Sequence, residues 1–250
     1  MSPMTPPDDE RAFLESYDEA AFERPSVAVD VVLVTTHAGQ LQALLTRRKE
    51  HPFQGRWALP GGFVGVAESL DQAVARVLRE KAHLDDVFTE QLYTFGAVDR
   101  DPRTRVISIA YYALVDHEQL TLALDGDPDL LLAPLEVPWS GLEGEPVHAL
   151  GTDGTRVDLA FDHATILGVV VQRLRGKIDY APIGFELLPD RFTLRQLQGV
   201  YESVLGHTLN KDSFRRRMVA SRFIEPTGER EQGVLHRPAE LYRFFNPSQA

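Results

Sequence analysis

The longest amphipathic run in the chain begins at Leu70. Apolar residues fall at Leu70, Ala73, Val74, Val77, Leu78 and Leu84, the spacing of a helix with one face turned to a core. Ser69 stands just ahead and can cap this helix by accepting hydrogen bonds from its first unsatisfied N–H groups. Upstream, the β-branched run at residues 26–35 predicts a buried strand, residues 37–40 a turn, and residues 41–47 the returning strand of a hairpin. Residues 91–95 and 106–115 predict later strands, joined through a polar turn at 99–105 that carries three arginines. Residues 120–135 read as a loop-rich acidic stretch. Residues 137–139 and 157–159 read as short strands, the second after an Asp153-Gly154 turn. Residues 162–174 predict a helix with Ile166, Val169, Val170 and Leu174 on one face and Asp162 as its cap, a cheaper reading of Asp162 and His163 than acid–base chemistry. At the N-terminus, residues 1–10 are Pro- and Asp-rich and read as disordered. Residues 11–22 suit a short helix with Phe13, Leu14, Tyr17 and Phe22 on its apolar side.

The pattern changes at residues 179–188, where Pro182 and Gly184 interrupt an apolar segment and Pro189 follows. Thr193 can cap a helix with apolar positions Leu194, Leu197, Val200, Tyr201, Val204 and Leu205, which Gly206 ends. After a short connector, Asn210 can cap a second helix at 211–221. Two helices across a tight glycine-containing turn have helix-turn-helix spacing. On the second, Phe214, Met218 and Val219 can pack inward, while Lys211, Ser213, Arg215, Arg216, Arg217 and Arg222 supply a polar side. Residues 223–226 and 241–245 then predict strands around a polar loop with Thr227, Arg230, His236 and Arg237, the pattern of a wing.

Composition narrows the classes. The chain has 250 residues, 43% hydrophobic and 25% charged, suited to one large or two smaller domains. Without cysteine there is no disulfide, no thiolate metal site and no cysteine nucleophile. No apolar stretch is long enough to span a bilayer and no secretory leader is evident, so the expectation is a cytoplasmic protein without a membrane partner. The net charge of −11 argues against a generally nucleic-acid-coated surface. It is uneven, however. Residues 181–250 hold 10 basic against 8 acidic residues, and the remainder 16 against 29. The basic residues of the second unit cluster on its second helix, a local patch suited to phosphate contacts.

Across the loop before Leu70 and the helix that follows, Gly62, Glu68, Arg76, Leu78, Glu80 and Leu84 follow the spacing of the Nudix box, the loop-helix signature of enzymes that cleave diphosphates linked to a second moiety. Three positions depart from that resemblance: Val77 and Lys81 stand where glutamates belong, and His83 stands where a glycine belongs. The family's carboxylates hold divalent metals, which want several oxygen ligands. Val, Glu and Lys at these neighbouring helical positions are a poor set for Mg²⁺, and Lys81 can instead meet a diphosphate as a point charge. The expectation is therefore a domain that kept its ligand and lost most of its chemistry, with no catalytic residue and no metal assigned. An active ADP-ribose pyrophosphatase with an accessory C-terminal domain is the alternative. A nucleotide sensor whose basic helix contacts protein or RNA is a third reading.

Over roughly residues 10–245 the chain resembles the Nudix-related transcriptional regulators of NAD metabolism. The segments that carry this are TRRKEHPFQGRWALPGGFV, DRDPRTRVISIAYYAL, FDHATIL and LPDRFTLRQLQGVYESVLGHTLNKDSFRRRM. The resemblance implies an α/β (α+β) fold: a Nudix α/β/α sandwich with a mixed sheet, then a winged helix-turn-helix. It places a ligand domain at 11–160, a connecting helix at 161–180 and a DNA-binding domain at 181–250. It also implies a homodimer on a palindromic operator, no required cofactor, and ADP-ribose or a related NAD-derived nucleotide as effector. Carried over by position, Gly61, Gly62, Glu68, Arg76 and Glu80 belong to the ligand site, and Lys81, which departs from the pattern, joins them as a charge that can meet the diphosphate. Arg47, Arg48, Arg56 and Arg105 are added as ligand contacts that no motif position fixes. Thr193, Arg195, Gln196, Lys211, Ser213, Arg215, Arg216, Arg217 and Arg237 are the expected DNA contacts.

Overall fold

In the computed structural model, which describes residues 7–245 other than 86, 125, 143, 145 and 234–236, the β-branched run at Ser26 becomes the centre of a mixed sheet. A helix, α1 (Pro7–Ser16), comes first. Then follow β1 (Ser26–His37), β2 (Gln40–Arg47), β3 (Trp57–Ala58), β4 (Gly61–Phe63), α2 (Leu70–Ala82), β5 (Glu90–Phe95) and β6 (Val106–Leu114). Next are α3 (His117–Leu124), β7 (Leu130–Glu136), β8 (His148–Ala149) and α4 (His163–Lys177). The C-terminal unit adds β9 (Phe192–Thr193), α5 (Leu194–Leu205), α6 (Lys211–Ala220), β10 (Ile224–Arg230) and β11 (Glu240–Phe244).

The large sheet has the order β5-β6-β1-β2-β7-β8, with β3 on β2 and β4 on β1. β1 runs parallel to β6 and antiparallel to β2 and β4, so the sheet is mixed as expected. Alternation along β1 divides the core. Val29, Val31 and Leu33 pack with Val74, Val77 and Leu78 of α2 on one face. Val32 and Val34 face the other side, where Ile166, Leu167 and Val170 of α4 cover them. That second core continues without a break into Leu197 and Tyr201 of α5 and Phe214 and Met218 of α6. A three-stranded sheet, β10-β11-β9, completes the C-terminal unit.

Several sequence expectations are corrected. The helix expected over 11–22 instead starts at Pro7 and stops at Ser16, and a 3₁₀ turn covers Glu19–Ala21. Phe13, Leu14, Tyr17 and Phe22 are exposed, and Tyr17 stacks on Phe22. The rest of the segment expected to be disordered, residues 1–6, lies outside the described residues, as does His236. Residues 120–135 are not loop-rich. They include the end of α3, whose Leu120 is fully buried, and β7, where Leu131, Ala133 and Leu135 alternate inward. The intervening leucines and Pro134 hide that alternation in the sequence. Residues 137–139 form no strand, and the edge is supplied by β8. Val219 does not pack inward; it is 54% exposed.

Candidate functional site

Gly61 and Gly62 are where β4 meets β1, Gly61 opposite Asp30. A Cβ on Gly61 would stand 2.3 Å from Asp30 Oδ1 and 2.8 Å from the Val29 carbonyl, so only glycine permits this approach. The loop then runs to Ser69, which accepts from Gln72 N–H while the Gln72 side chain accepts from Ser69 N–H, a full capping box for α2. α2 ends at His83, which has φ of 54° in the left-handed region. That conformation explains why the resembling pattern has glycine there.

Glu68 and Arg76 close this loop upon itself. The Arg76 guanidinium donates two hydrogen bonds to the Glu68 carboxylate, at 2.7 and 2.9 Å, and a third to the Phe63 carbonyl. The Arg76 bond, helped by Gly65 N–H, holds the Glu68 pKa down to about 2. Val77 is fully buried in the core and has no access to ligand. Lys81 Nζ donates to the Gly61 carbonyl at 2.6 Å. Burial of the ammonium, and then the nearby Arg48 charge, lower the Lys81 pKa. The motif positions offer few free oxygen donors to a divalent metal: the Glu68 carboxylate is committed to Arg76, Glu80 stands 3.6 Å from Arg76, Val77 is aliphatic and Lys81 is cationic.

Beside this loop lies a cavity of about 610 Å³, large enough for a nucleotide-sized ligand. Arg47, Arg48, Gly61, Gly62, Glu80 and Lys81 of the expected ligand residues line it. Glu68, Arg76, Arg56 and Arg105 do not. Arg56 lies 5.4 Å from the Phe53 ring, and Arg105 donates to the Ala97 carbonyl, both on the outside. The arginine-rich turn contributes Arg100 and Arg103 instead. Which of its three arginines faces inward depends on the path of the turn, which no spacing reveals. Arg103 pairs with Asp101 through two bonds and lies 5.2 Å from the Phe63 ring. Arg48 donates to the Pro52 carbonyl and lies 4.8 Å from the Phe161 ring centre. Burial, and then Arg103, lower its pKa. Among the described residues, neither Arg48 nor Lys81 is hydrogen-bonded to a carboxylate.

The cavity floor is a buried polar cluster that sequence reading missed. Asp30 accepts from Ser108 Oγ at 2.5 Å and lies 3.4 Å from Arg100 Nη2. Arg100 donates to both oxygens of Asp162, at 2.9 and 2.7 Å. Asp162 does stand at the N-cap of α4, but its side chain makes no capping bond; the expected cap is instead an ion pair. His163 Nδ1 accepts from Leu59 N–H at 2.8 Å, which leaves the proton of the neutral ring on Nε2, 3.6 Å from Asp30. Burial lowers its pKa. An Asp spaced among β-branched residues in a buried strand was the available signal for Asp30.

The second site is built on α5 and α6. Thr193 and Gln196 form a capping box for α5, so Thr193, only 3% exposed, serves the helix and offers no free hydroxyl. Gly206 ends α5 with φ of 75°. Glu202 fixes the turn by accepting from Leu209 N–H at 2.7 Å and from Gln198. Asn210 caps α6 through Ser213 N–H. Phe214 and Met218 anchor α6 inward, with Phe214 edge-on to Tyr201. Lys211, Ser213, Arg215 and Arg216 face solvent, and Arg195 and Gln196 are exposed at the start of α5. Arg217 is set apart from them: it pairs with Asp179 at 3.0 Å and lies over the Tyr201 and Phe214 rings. Arg237 is exposed on the segment between β10 and β11. No helix among the described residues is long and apolar enough to cross a membrane.

Comparison with known proteins matches two families along the chain. Residues 24–138 match the NUDIX domain and residues 184–244 match the NrtR DNA-binding winged helix domain. The ADPR responsive transcriptional repressor NtrR of Acinetobacter baylyi is 35% identical over 237 residues, covering 94% of this chain and 88% of that protein. The crystal structure of Shewanella oneidensis NrtR complexed with a 27mer DNA superposes with a TM-score of 0.73 at 34% identity, covering 88% of this chain and 93% of that one. The NUDIX domain of the same protein complexed with ADP ribose superposes at 0.50, with 33% identity over 66% of this chain and 98% of that one.

Proposed function

The chain belongs to the family of NrtR repressors, which joins a Nudix domain to a winged-helix DNA-binding domain, and on that premise we propose that it is a repressor whose operator affinity is set by an NAD-derived nucleotide, ADP-ribose first among them. The observation that carries this reading is that the similarity to an ADPR-responsive repressor runs through both units of the chain. A nucleotide-binding unit at 11–160 joins, through the segment 161–180 that carries α4, a DNA-binding unit from 181 onward.

In the cavity, Arg48 and Lys81 meet the diphosphate, with Arg47 and Arg103 beside them. Arg forks suit diphosphate oxygens, and Lys81 supplies positive charge where a metal-dependent relative would need a metal. Glu68 and Arg76 hold the loop that presents Gly61 and Gly62. Metal-dependent cleavage is lost, because Val77 and Lys81 remove two of the oxygen donors the reaction needs. The protein needs no cofactor.

On DNA, Lys211, Ser213, Arg215 and Arg216 of α6 enter the major groove, with Arg195, Gln196 and Arg237 on flanking phosphates. A homodimer would place its two α6 helices in adjacent grooves of a palindromic operator, with half-sites about 34 Å apart. Effector and operator are coupled by linkage: the nucleotide changes DNA affinity by the ratio of its own affinities for the two arrangements.

The test is a gel shift on the promoter DNA beside the protein's own gene, with and without ADP-ribose and without metal. Saturable binding whose midpoint ADP-ribose moves is expected. Absence of binding to any duplex, together with Mg²⁺- or Mn²⁺-dependent cleavage of ADP-ribose, would make the protein a hydrolase.

A further inference from the structure

The helix α4 touches both sites. It is about 22 Å long at 1.5 Å per residue. Its first residue, His163, is part of the cavity floor. At its other end Arg175 Nε donates to the Val204 carbonyl in the last turn of α5, at 3.0 Å. The same guanidinium donates to the Trp139 and Gly141 carbonyls and lies 4.6 Å from the Trp139 ring. Gly206, which ends α5, leaves room for it: a Cβ there would stand 2.7 Å from Arg175 Nη2. Two residues past α4, Asp179 pairs with Arg217 of α6. A shift of α4 is therefore passed to both helices of the DNA-binding unit.

At the cavity end of α4 the side-chain cap is not made. Asp162 stands at the N-cap position, yet its carboxylate is held by Arg100 and the backbone there has φ −96° and ψ 21° instead of the extended geometry of a capping residue. Phe161, just before it, has φ of 53°, a left-handed conformation that costs a bulky residue strain. Arg100 itself lines the cavity.

We propose that the Arg100–Asp162 pair is the switch that couples the cavity to DNA. An anionic nucleotide in the cavity competes with Asp162 for the Arg100 guanidinium. Asp162, released, turns to cap the first turn of α4. The change at that turn moves Arg175 and Asp179, and with them α5 and α6. Asp162 is thus a positioning residue that touches neither ligand nor DNA. This rests on the effector-gated reading given above and specifies how the gate works.

The experiment uses the full chain, ADP-ribose as probe and the operator duplex of the gel shift. Asp162→Asn keeps a capping acceptor and loses the charged partner of Arg100. Asp162→Ser does the same with a smaller side chain, which guards against a local folding fault in either variant. Both are expected to bind ADP-ribose. Their operator affinity without ADP-ribose is expected to match that of the wild type with ADP-ribose. The ratio of operator Kd with and without ADP-ribose, roughly 5- to 150-fold for a coupled wild type, is expected to fall to within about twofold of one. A wild-type ratio in both variants would overturn the switch while leaving the gated repressor standing. Loss of ADP-ribose binding in both would also overturn it, making Asp162 a ligand contact. A ratio of one in the wild type would instead remove the gated reading itself.

Discussion

The cations of the cavity and those of α6 are held in different ways. Around the cavity, four of the cations are held by defined partners: Arg100 by Asp162, Arg103 by Asp101, Arg48 by Pro52 and Lys81 by Gly61. On α6 the helix backbone is fixed by Asn210, Phe214 and Met218, and the long side chains of Lys211, Arg215 and Arg216 are left in water. Pre-organised, partly desolvated charge favours one ligand of fixed shape. Solvated charge on a rigid rod suits a regular array of phosphates and responds to salt. Arg217 shows that neighbouring positions can differ in kind, because its pair with Asp179 ties it to α4.

Removing the anchor of α6 should have the largest effect. Phe214→Ala is expected to cost about 3–5 kcal/mol of stability, read by denaturant unfolding, and to abolish operator binding. Next is the pair Arg215→Ala with Arg216→Ala. Operator affinity should fall roughly a hundredfold and the slope of log K against log salt should become shallower by about two, with no change in melting temperature or ADP-ribose affinity. Arg217→Ala, in contrast, should leave the salt slope within about half a unit. An equal slope change for Arg217 would erase the distinction drawn within α6. In the cavity, Lys81→Ala should weaken ADP-ribose binding roughly tenfold, measured by calorimetry without metal, and salt should affect that binding far less than operator binding.

The smallest effect concerns His163. Its folded pKa lies below its ordinary value because it is buried. The unfolded chain therefore binds the extra proton first. The stability this provides is fully present above pH ~6.5 and is lost as pH falls below it. Thermal melts from pH 7.5 to 5 should show wild-type stability falling with acid. His163→Asn, which keeps an acceptor for Leu59 N–H, should show a shallower fall.

The fold was legible wherever periodicity and capping agreed. Ser69 before Leu70, Thr193 before Leu194 and Asn210 before Lys211 each mark a helix start that the structure keeps. β9 has two residues and depends wholly on pairing with β11, so no local pattern announces it. The cavity lining was legible where a motif fixes the backbone, as at Gly61 and Gly62. It was not legible where the answer depends on distant partners. Asp162 has the sequence of a cap, and only Arg100, 62 residues away, makes it an ion pair. Arg105 and Arg103 are two residues apart, and only the turn's path sends Arg103 inward.

In the proposed function, one protein couples a nucleotide in the cavity to DNA on α6. Linkage makes this measurable from either side. The most direct measurement is the Kd of ADP-ribose, without metal, for the free protein and for the protein saturated with operator. The two values should differ by the same factor by which ADP-ribose changes operator affinity. An ADP-ribose Kd unaffected by operator would mean that the cavity and the DNA-binding unit are not coupled.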